Sequence, residues 1–285
     1  MSATPPSAPP VSASTSPAGP RPGRGSRRWI RLLWTGFAAV VGAVLFFGWA
    51  VSVNFLYLFG PLPSLDRLEN PRPPVPSLLY SADGVELGRY YRENRAPVPL
   101  DSMAPVLIQA LRATEDARFE EHSGIDLTAL FSAVAAGARG DKRGASTITQ
   151  QLAKNLFKTR GAQSAKGPLN KVPGVKTLVA KVKEWIVAVQ LERTFTKPEI
   201  LQLYLNTVDF ASNSFGVKVA ARTFFGTTPD ALKPQEAAML VGMLKAPTAY
   251  SPRFQPTAAL TRRNVVLDQM GKYGFLKPAE VKELQ

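Results

Sequence analysis

From Leu32 to Leu65 the chain carries no charged residue, and its run LLWTGFAAVVGAVLFFGWAVSVNFLYLF is longer than the roughly 20 apolar residues that cross a hydrocarbon core. This pattern predicts a transmembrane helix over 32–59. A cleaved leader has a shorter apolar region ending in small residues, so the helix is expected to be retained. Farther along, SLLYSADGVELGRYY alternates apolar and polar positions on either side of Asp83-Gly84, which predicts a two-residue hairpin and the only sheet of any size. The rest of the chain is patterned as helix. VLIQALRATEDARF, DLTALFSAVAAGA, STITQQLAKNLF, VKTLVAKVKEWIVAVQLER, PEILQLYLNTV, SFGVKVAARTFF, PQEAAMLVGMLKA and TAALTRRNVVLDQMGKYG repeat their apolar residues at steps of three and four. The fold class is mainly α, and no fixed-period repeat suggests a solenoid.

Composition adds boundaries. Residues 1–25 hold seven prolines and almost no large apolar side chain, too little to offset the entropy of ordering, so 1–31 reads as a disordered basic tail. Five arginines fall in RPGRGSRRWIR, and no acid precedes Arg31, which places the N terminus in the cytoplasm and the rest outside. Six prolines in residues 60–76 make a stiff linker. The remaining length suits one domain, over 77–275, and no second large one. With no cysteine in the chain, disulfides, thiolate metal sites and a cysteine nucleophile are excluded. The formal charge of +14 suits a phosphate-bearing partner: nucleic acid, anionic lipid or a phosphorylated substrate. Nucleic acid drops out if the basic residues lie outside the cytoplasm.

Candidate chemistry lies in three stretches. In ATEDARFEEHSGID, on a helix continuing past Glu115, Leu111, Glu115 and Phe119 share one face, and a carboxylate among apolar neighbours suits proton transfer. From this stretch alone, Glu115 and Asp116 read more plainly as solvated acids, and His122, the single histidine, as a structural residue. In RGASTITQQLAKNLF, Ser146 or Thr147 can cap a helix, but a cap does not account for the paired Gln150 and Gln151, which with Lys154 fall within one helical turn. Hydroxyls and amides at a helix N terminus can bind an anion or a sugar. Third, ten Lys and Arg and no acid lie between Lys142 and Lys183. A solvated charge run is the usual explanation of such a segment, but Glu184 then arrives beside Lys181 on one helix face, which also fits a site for a phosphate leaving group.

Together these residues resemble the peptidoglycan glycosyltransferases of family 51, the N-terminal module of class A penicillin-binding proteins. The first motif of that family is complete in Glu115, Asp116, Phe119, His122 and Gly124, and the second in Gly144 and Ser146 to Gln151, followed by Lys154 and Asn155. The third is present as Lys181 and Glu184, with Ala180 where the family usually has arginine. LQLYLN with Phe210 and Gly216, then EAAMLVGMLKAPTAYSP, are similar to the fourth and fifth, although FASNSFG departs from the commoner aromatic-Gly-x-x-x-x-Gly.

The resemblance implies a lysozyme-like helical domain with a small membrane-proximal lobe, at the basic loop from Lys158 to Lys176, beyond an N-terminal transmembrane helix. It implies polymerisation of lipid II into glycan strands at the bacterial cytoplasmic membrane. Glu115 takes a proton from the acceptor hydroxyl, and Glu184 arranges the donor pyrophosphate. Asp116, His122, Ser146, Thr147, Gln150, Gln151, Lys154 and Lys181 bind substrate. No resident metal is expected and no cofactor is required, with room for a divalent cation such as Mg2+ at the pyrophosphate. The partners implied are lipid II, the growing strand, the membrane and cell-wall synthesis proteins. A lytic enzyme of similar architecture and a non-catalytic scaffold are the alternatives. No Ser-x-x-Lys or Lys-Thr-Gly occurs, so no transpeptidase site is expected in this chain, and 276–285 reads as the start of a truncated C-terminal region.

Overall fold

The computed structural model describes residues 24–52, 77–90, 93–137, 144–157 and 176–285. The Pro-rich linker, most of the N-terminal tail and residues 158–175, where the lobe is expected, lie outside the described residues. The chain divides into two compact units, Met1–Asn54 and Phe55–Gln285.

The described residues of the first unit form the helix α1 (Arg24–Ser52). It starts inside the segment expected as a tail, because beyond Pro22 no proline interrupts the backbone. Its stretch Trp29–Trp49, 21 residues, is long and apolar enough to cross a membrane. At 1.5 Å per residue it spans about 30 Å, the thickness of a hydrocarbon core. Thr35 spends its hydroxyl on the carbonyls of Arg31 and Leu32, inside the helix.

In the second unit, strands β1 (Ser77–Tyr80) and β2 (Glu86–Tyr90) pair antiparallel. The turn is longer than the two residues expected. Ser81 and Val85 close it through Ser81 N to Val85 O, with Gly84 at φ +83° and a register shift at Tyr80. A second, minimal pairing joins β3 (Asn94–Arg95) to β4 (Ser214–Phe215) in parallel.

The helices are α2 (Pro105–Glu115), α3 (Leu127–Gly137), α4 (Ile148–Phe157), α5 (Lys176–Thr194), α6 (Lys197–Thr207), α7 (Val217–Phe225), α8 (Pro234–Met243), α9 (Pro256–Lys272) and α10 (Pro278–Leu284). The unit is mainly helical. Five of them carry proline in the first turn, where its missing N–H costs nothing. The helix α10 falls within the segment read as a truncated end, and Val281 packs it onto Gly271.

One difference from the sequence reading bears on the site. The helix expected to run through ALRATEDARF stops at Glu115, and Phe119 sits in a separate turn, fully buried. Asp116 breaks the helix with an extended backbone because its carboxylate has better partners elsewhere, the Ile148 N–H and the His122 ring. Two sets of helices build the core. The helix α2 packs on α8 and α9, while α4 packs on α5 and α6. Leu107, Leu111, Phe119, Ile148, Leu152, Leu191, Ile200 and Tyr204 are fully buried between them. Burying such side chains contributes about 1.5–3 kcal/mol each.

Candidate active site

The first turn of α4 is the hub. Thr147 caps it, accepting from Gln150 N at 3.2 Å, and donates its own hydroxyl proton to the Gly124 carbonyl at 2.8 Å. Gln150 Nε2 donates to the same carbonyl at 3.1 Å. Gly124 is held at φ +87° with the backbone of Ala188 in α5 so near that a Cβ would come within 2.9 Å. Only glycine permits both that conformation and that approach. The Asp116 carboxylate accepts from Ile148 N at 3.0 Å, where the α4 dipole favours an anion, and contacts His122 Nε2 at 3.0 Å from both oxygens. Asp116, Thr147 and Gln150 are buried and His122 is half-buried, and all four are engaged with one another or with backbone, Gln150 through its Nε2. Here they hold the Glu115 end of α2 against the start of α4.

Two polar clusters flank that hub. In one, Glu115 Oε2 accepts from Gln151 Nε2 at 2.6 Å, and Gln151 Oε1 in turn accepts from the Tyr204 hydroxyl at 2.9 Å. The Arg262 guanidinium approaches the other oxygen, Oε1, at 3.9 Å. Burial first, and the Glu115 charge second, push the Tyr204 phenol well above its ordinary range, so it stays a neutral donor. In the other cluster, Lys181 Nζ donates to Ser146 Oγ at 2.8 Å, Gln150 Oε1 at 2.9 Å and Glu184 Oε2 at 3.2 Å. Glu184 is buried, whereas Lys181 keeps about a quarter of its side chain open. Beside it, burial lowers the Lys183 ammonium below the usual lysine range. Lys154 is exposed, one turn beyond Gln151 on the same helix, and Ala180 is half-buried.

A carboxylate with both oxygens oriented can take a proton from a hydroxyl. A lysine that donates to Ser146, Gln150 and Glu184 and is still partly open to solvent can meet a developing anion. Adjacent residues of one helix, Gln150 and Gln151, serve the two groups. Sequence reasoning missed Tyr204 and Arg262. Tyr204 reads as an ordinary apolar position of α6, and nothing in TRRN separates Arg262 from a solvated cation.

Asp116, His122 and Asp126 each offer a ligand atom, all within 4.8 Å of one another. A cation fits them poorly. Asp126 already holds the Arg118 guanidinium through both oxygens, at 2.6 and 2.8 Å, and accepts from Ala129 N at 2.8 Å to cap α3. Burial pushes the Asp126 carboxyl up, but the Ala129 N–H and Arg118 outweigh it and hold it below the usual range.

A family model described as Transglycosylase matches residues 83–271. The chain belongs to the transglycosylase family. Among curated proteins it is similar to penicillin-binding protein 1A of Escherichia coli strain K12, 38% identical over 224 residues, which covers 78% of this chain and 25% of that protein. Penicillin-binding protein 1A of Aquifex aeolicus is 37% identical over 246 residues, covering 86% and 32%. Among solved structures, the crystal structure of penicillin-binding protein 1A from Haemophilus influenzae matches 73% of this chain and 20% of that one at 23% identity, with a TM-score of 0.40. The chain thus spans about a quarter to a third of the length of these curated relatives. All three motif stretches fall inside the matched transglycosylase segment.

Proposed function

We propose that this transglycosylase domain polymerises lipid II into β-1,4 glycan strands, releasing undecaprenyl pyrophosphate. The observation that carries the reading is the Glu115 carboxylate, faced by Arg262 of α9 and held by Gln151 on the same turn of α4 as Gln150, which anchors Lys181. Glu115 takes the proton of the acceptor 4-hydroxyl as that oxygen attacks the donor anomeric carbon. The bond from that carbon to the pyrophosphate oxygen breaks with its electron pair, and the configuration inverts. The departing charge meets Lys181 and Lys154, with Glu184 arranging the pyrophosphate through Lys181. A divalent ion such as Mg2+, where one takes part, would be held by Glu184 in competition with that lysine.

Membrane attachment through the apolar stretch of α1, with the arginines at its N-terminal end in the cytoplasm and the domain outside, supplies lipid-linked donor at high local concentration. Lipid II, the growing strand and the membrane are then the partners. The test is glycan synthesis from labelled lipid II by detergent-solubilised protein and by Glu115→Gln. The substitution is expected to lower turnover about 100-fold to 10,000-fold without unfolding the domain. Near-normal synthesis by folded Glu115→Gln refutes the role of Glu115. Shortening of added glycan with no synthesis from lipid II supports a lytic enzyme instead.

A further inference from the structure

Arg262 belongs to none of the motif stretches, yet it reaches the carboxylate on which the proposed chemistry rests. It projects from α9, and its Nη2 stands 3.9 Å from Glu115 Oε1 while Gln151 holds Oε2. Both side chains are only 15% exposed. The Arg262 Nε is buried and finds no hydrogen-bond partner among the described residues. A guanidinium kept there with an unspent donor costs stability, which other residues of the fold must offset. The fold also makes room for it: a Cβ at Gly242 in α8 would come within 3.2 Å of the Arg262 Cγ.

The other groups around Glu115 bring little opposing charge. From α6 comes Tyr204, a neutral phenol, and from α4 the uncharged amide of Gln151. On its own helix, Arg112 is drawn towards Glu120 at 3.5 Å. The packed helix α8 contributes a single charged residue, Glu236, which bonds the Lys233 N–H at its own N terminus. Asp116, next in the chain, is turned to His122 and Ile148.

We propose that Arg262 is a positioning residue for Glu115: from α9 it faces Oε1 while Gln151 holds Oε2, so that the carboxylate meets the acceptor's proton in one orientation. The proposal rests on Glu115 as the base. Without the guanidinium the Oε1 side loses its partner on α9, and the carboxylate can turn away from the reacting hydroxyl. Turnover then falls while substrate binding is kept.

The experiment measures lipid II polymerisation by the full chain and by Arg262→Gln, Arg262→Lys and Glu115→Gln, with thermal midpoints as a check on folding. Arg262→Gln is expected to lower kcat about tenfold with KM for lipid II within about twofold, the profile of a base held out of line with binding intact. Arg262→Lys retains the charge and is expected to recover kcat to within about threefold of the parent. An Arg262→Gln enzyme within about twofold of the parent kcat overturns the proposal, and so does a folded Arg262→Lys enzyme as slow as Arg262→Gln. Should Arg262→Gln fail to fold, a folded Arg262→Lys enzyme slowed about tenfold overturns it equally. An active Glu115→Gln enzyme removes the base and this inference together, whereas an inactive one beside Arg262 variants of parent kcat removes only the inference.

Discussion

The buried Tyr204 hydroxyl gives the sharpest test of how Glu115 is held. Tyr204→Phe deletes one oxygen from a fully buried ring, leaving the apolar packing of α6 in place. What is lost is the 2.9 Å bond to Gln151 Oε1, which fixes that amide so that its Nε2 faces Glu115. A neutral hydrogen bond contributes about 1 kcal/mol net, with a further cost when its acceptor is left unpaired. Gln151 is half-buried, so the low end applies, about 1–1.5 kcal/mol. For a domain near this size that lowers Tm by roughly 2–6 °C. Freed from Tyr204, the amide can turn its oxygen towards the carboxylate, and a misoriented base is expected to lower kcat about tenfold, equivalent to about 1.4 kcal/mol. Initial rates with labelled lipid II, together with calorimetry, measure both effects. A Tyr204→Phe enzyme within about twofold of the parent kcat, however much its Tm falls, refutes the orienting role. The alkaline limb gives a second readout. Above about pH 10 an unfolded tyrosine ionises while the buried one does not, so stability falls with rising pH, and the variant lacks that part of the slope.

Much of the fold is legible in the periodicity, since each of the helical stretches of the domain overlaps one of α2 to α9. The failures share a cause. Nothing local ends α2 at Glu115, because Asp116 is drawn off by a backbone N–H of Ile148 and by His122, contacts made only after folding. The Asp83-Gly84 signal marks the turn correctly, but Gly84 at φ +83° opens it into a bulged loop closed by Ser81 and Val85. At the site, the motifs identify residue types, not who holds whom. The motifs carry Thr147 and Gln150 without showing that both spend themselves on the Gly124 carbonyl. Tyr204 and Arg262 come from distant helices and join the site only through packing, so no spacing rule along the chain could find them.

If Lys181 and Lys154 meet pyrophosphate, Lys181→Ala and Lys154→Ala each weaken use of the donor by about 1.5–3 kcal/mol, measured by titrating lipid II at fixed ionic strength. Equal, small losses at these and at the exposed control Lys218 refute a defined phosphate site. Asp126→Asn keeps a capping oxygen for α3 but removes the charge that binds Arg118, and is expected to cost about 1 kcal/mol at pH 7 after allowing for the exposure of Arg118. Because the folded carboxyl titrates below its unfolded value, that contribution exists above about pH 4 and fades as pH falls; urea unfolding at pH 7 and pH 3 should show the cost shrink. The last expectation concerns FASNSFG, where Ala211 occupies the position at which the family pattern has glycine. Ala211, Ser212 and Asn213 lie at φ 64°, 50° and 55°, in the left-handed region, which costs a residue with a Cβ about 1–2 kcal/mol. Ala211→Gly relieves that strain but loses a buried methyl and adds unfolded-chain entropy. The same two losses attend Ala220→Gly in α7, where Ala220 is fully buried in ordinary helix. The common terms cancel, so Ala211→Gly is expected to be the milder change by about 1 kcal/mol in urea unfolding. Equal losses at the two positions would mean that the left-handed run carries no strain, and that the departure from the family's glycine costs this protein nothing.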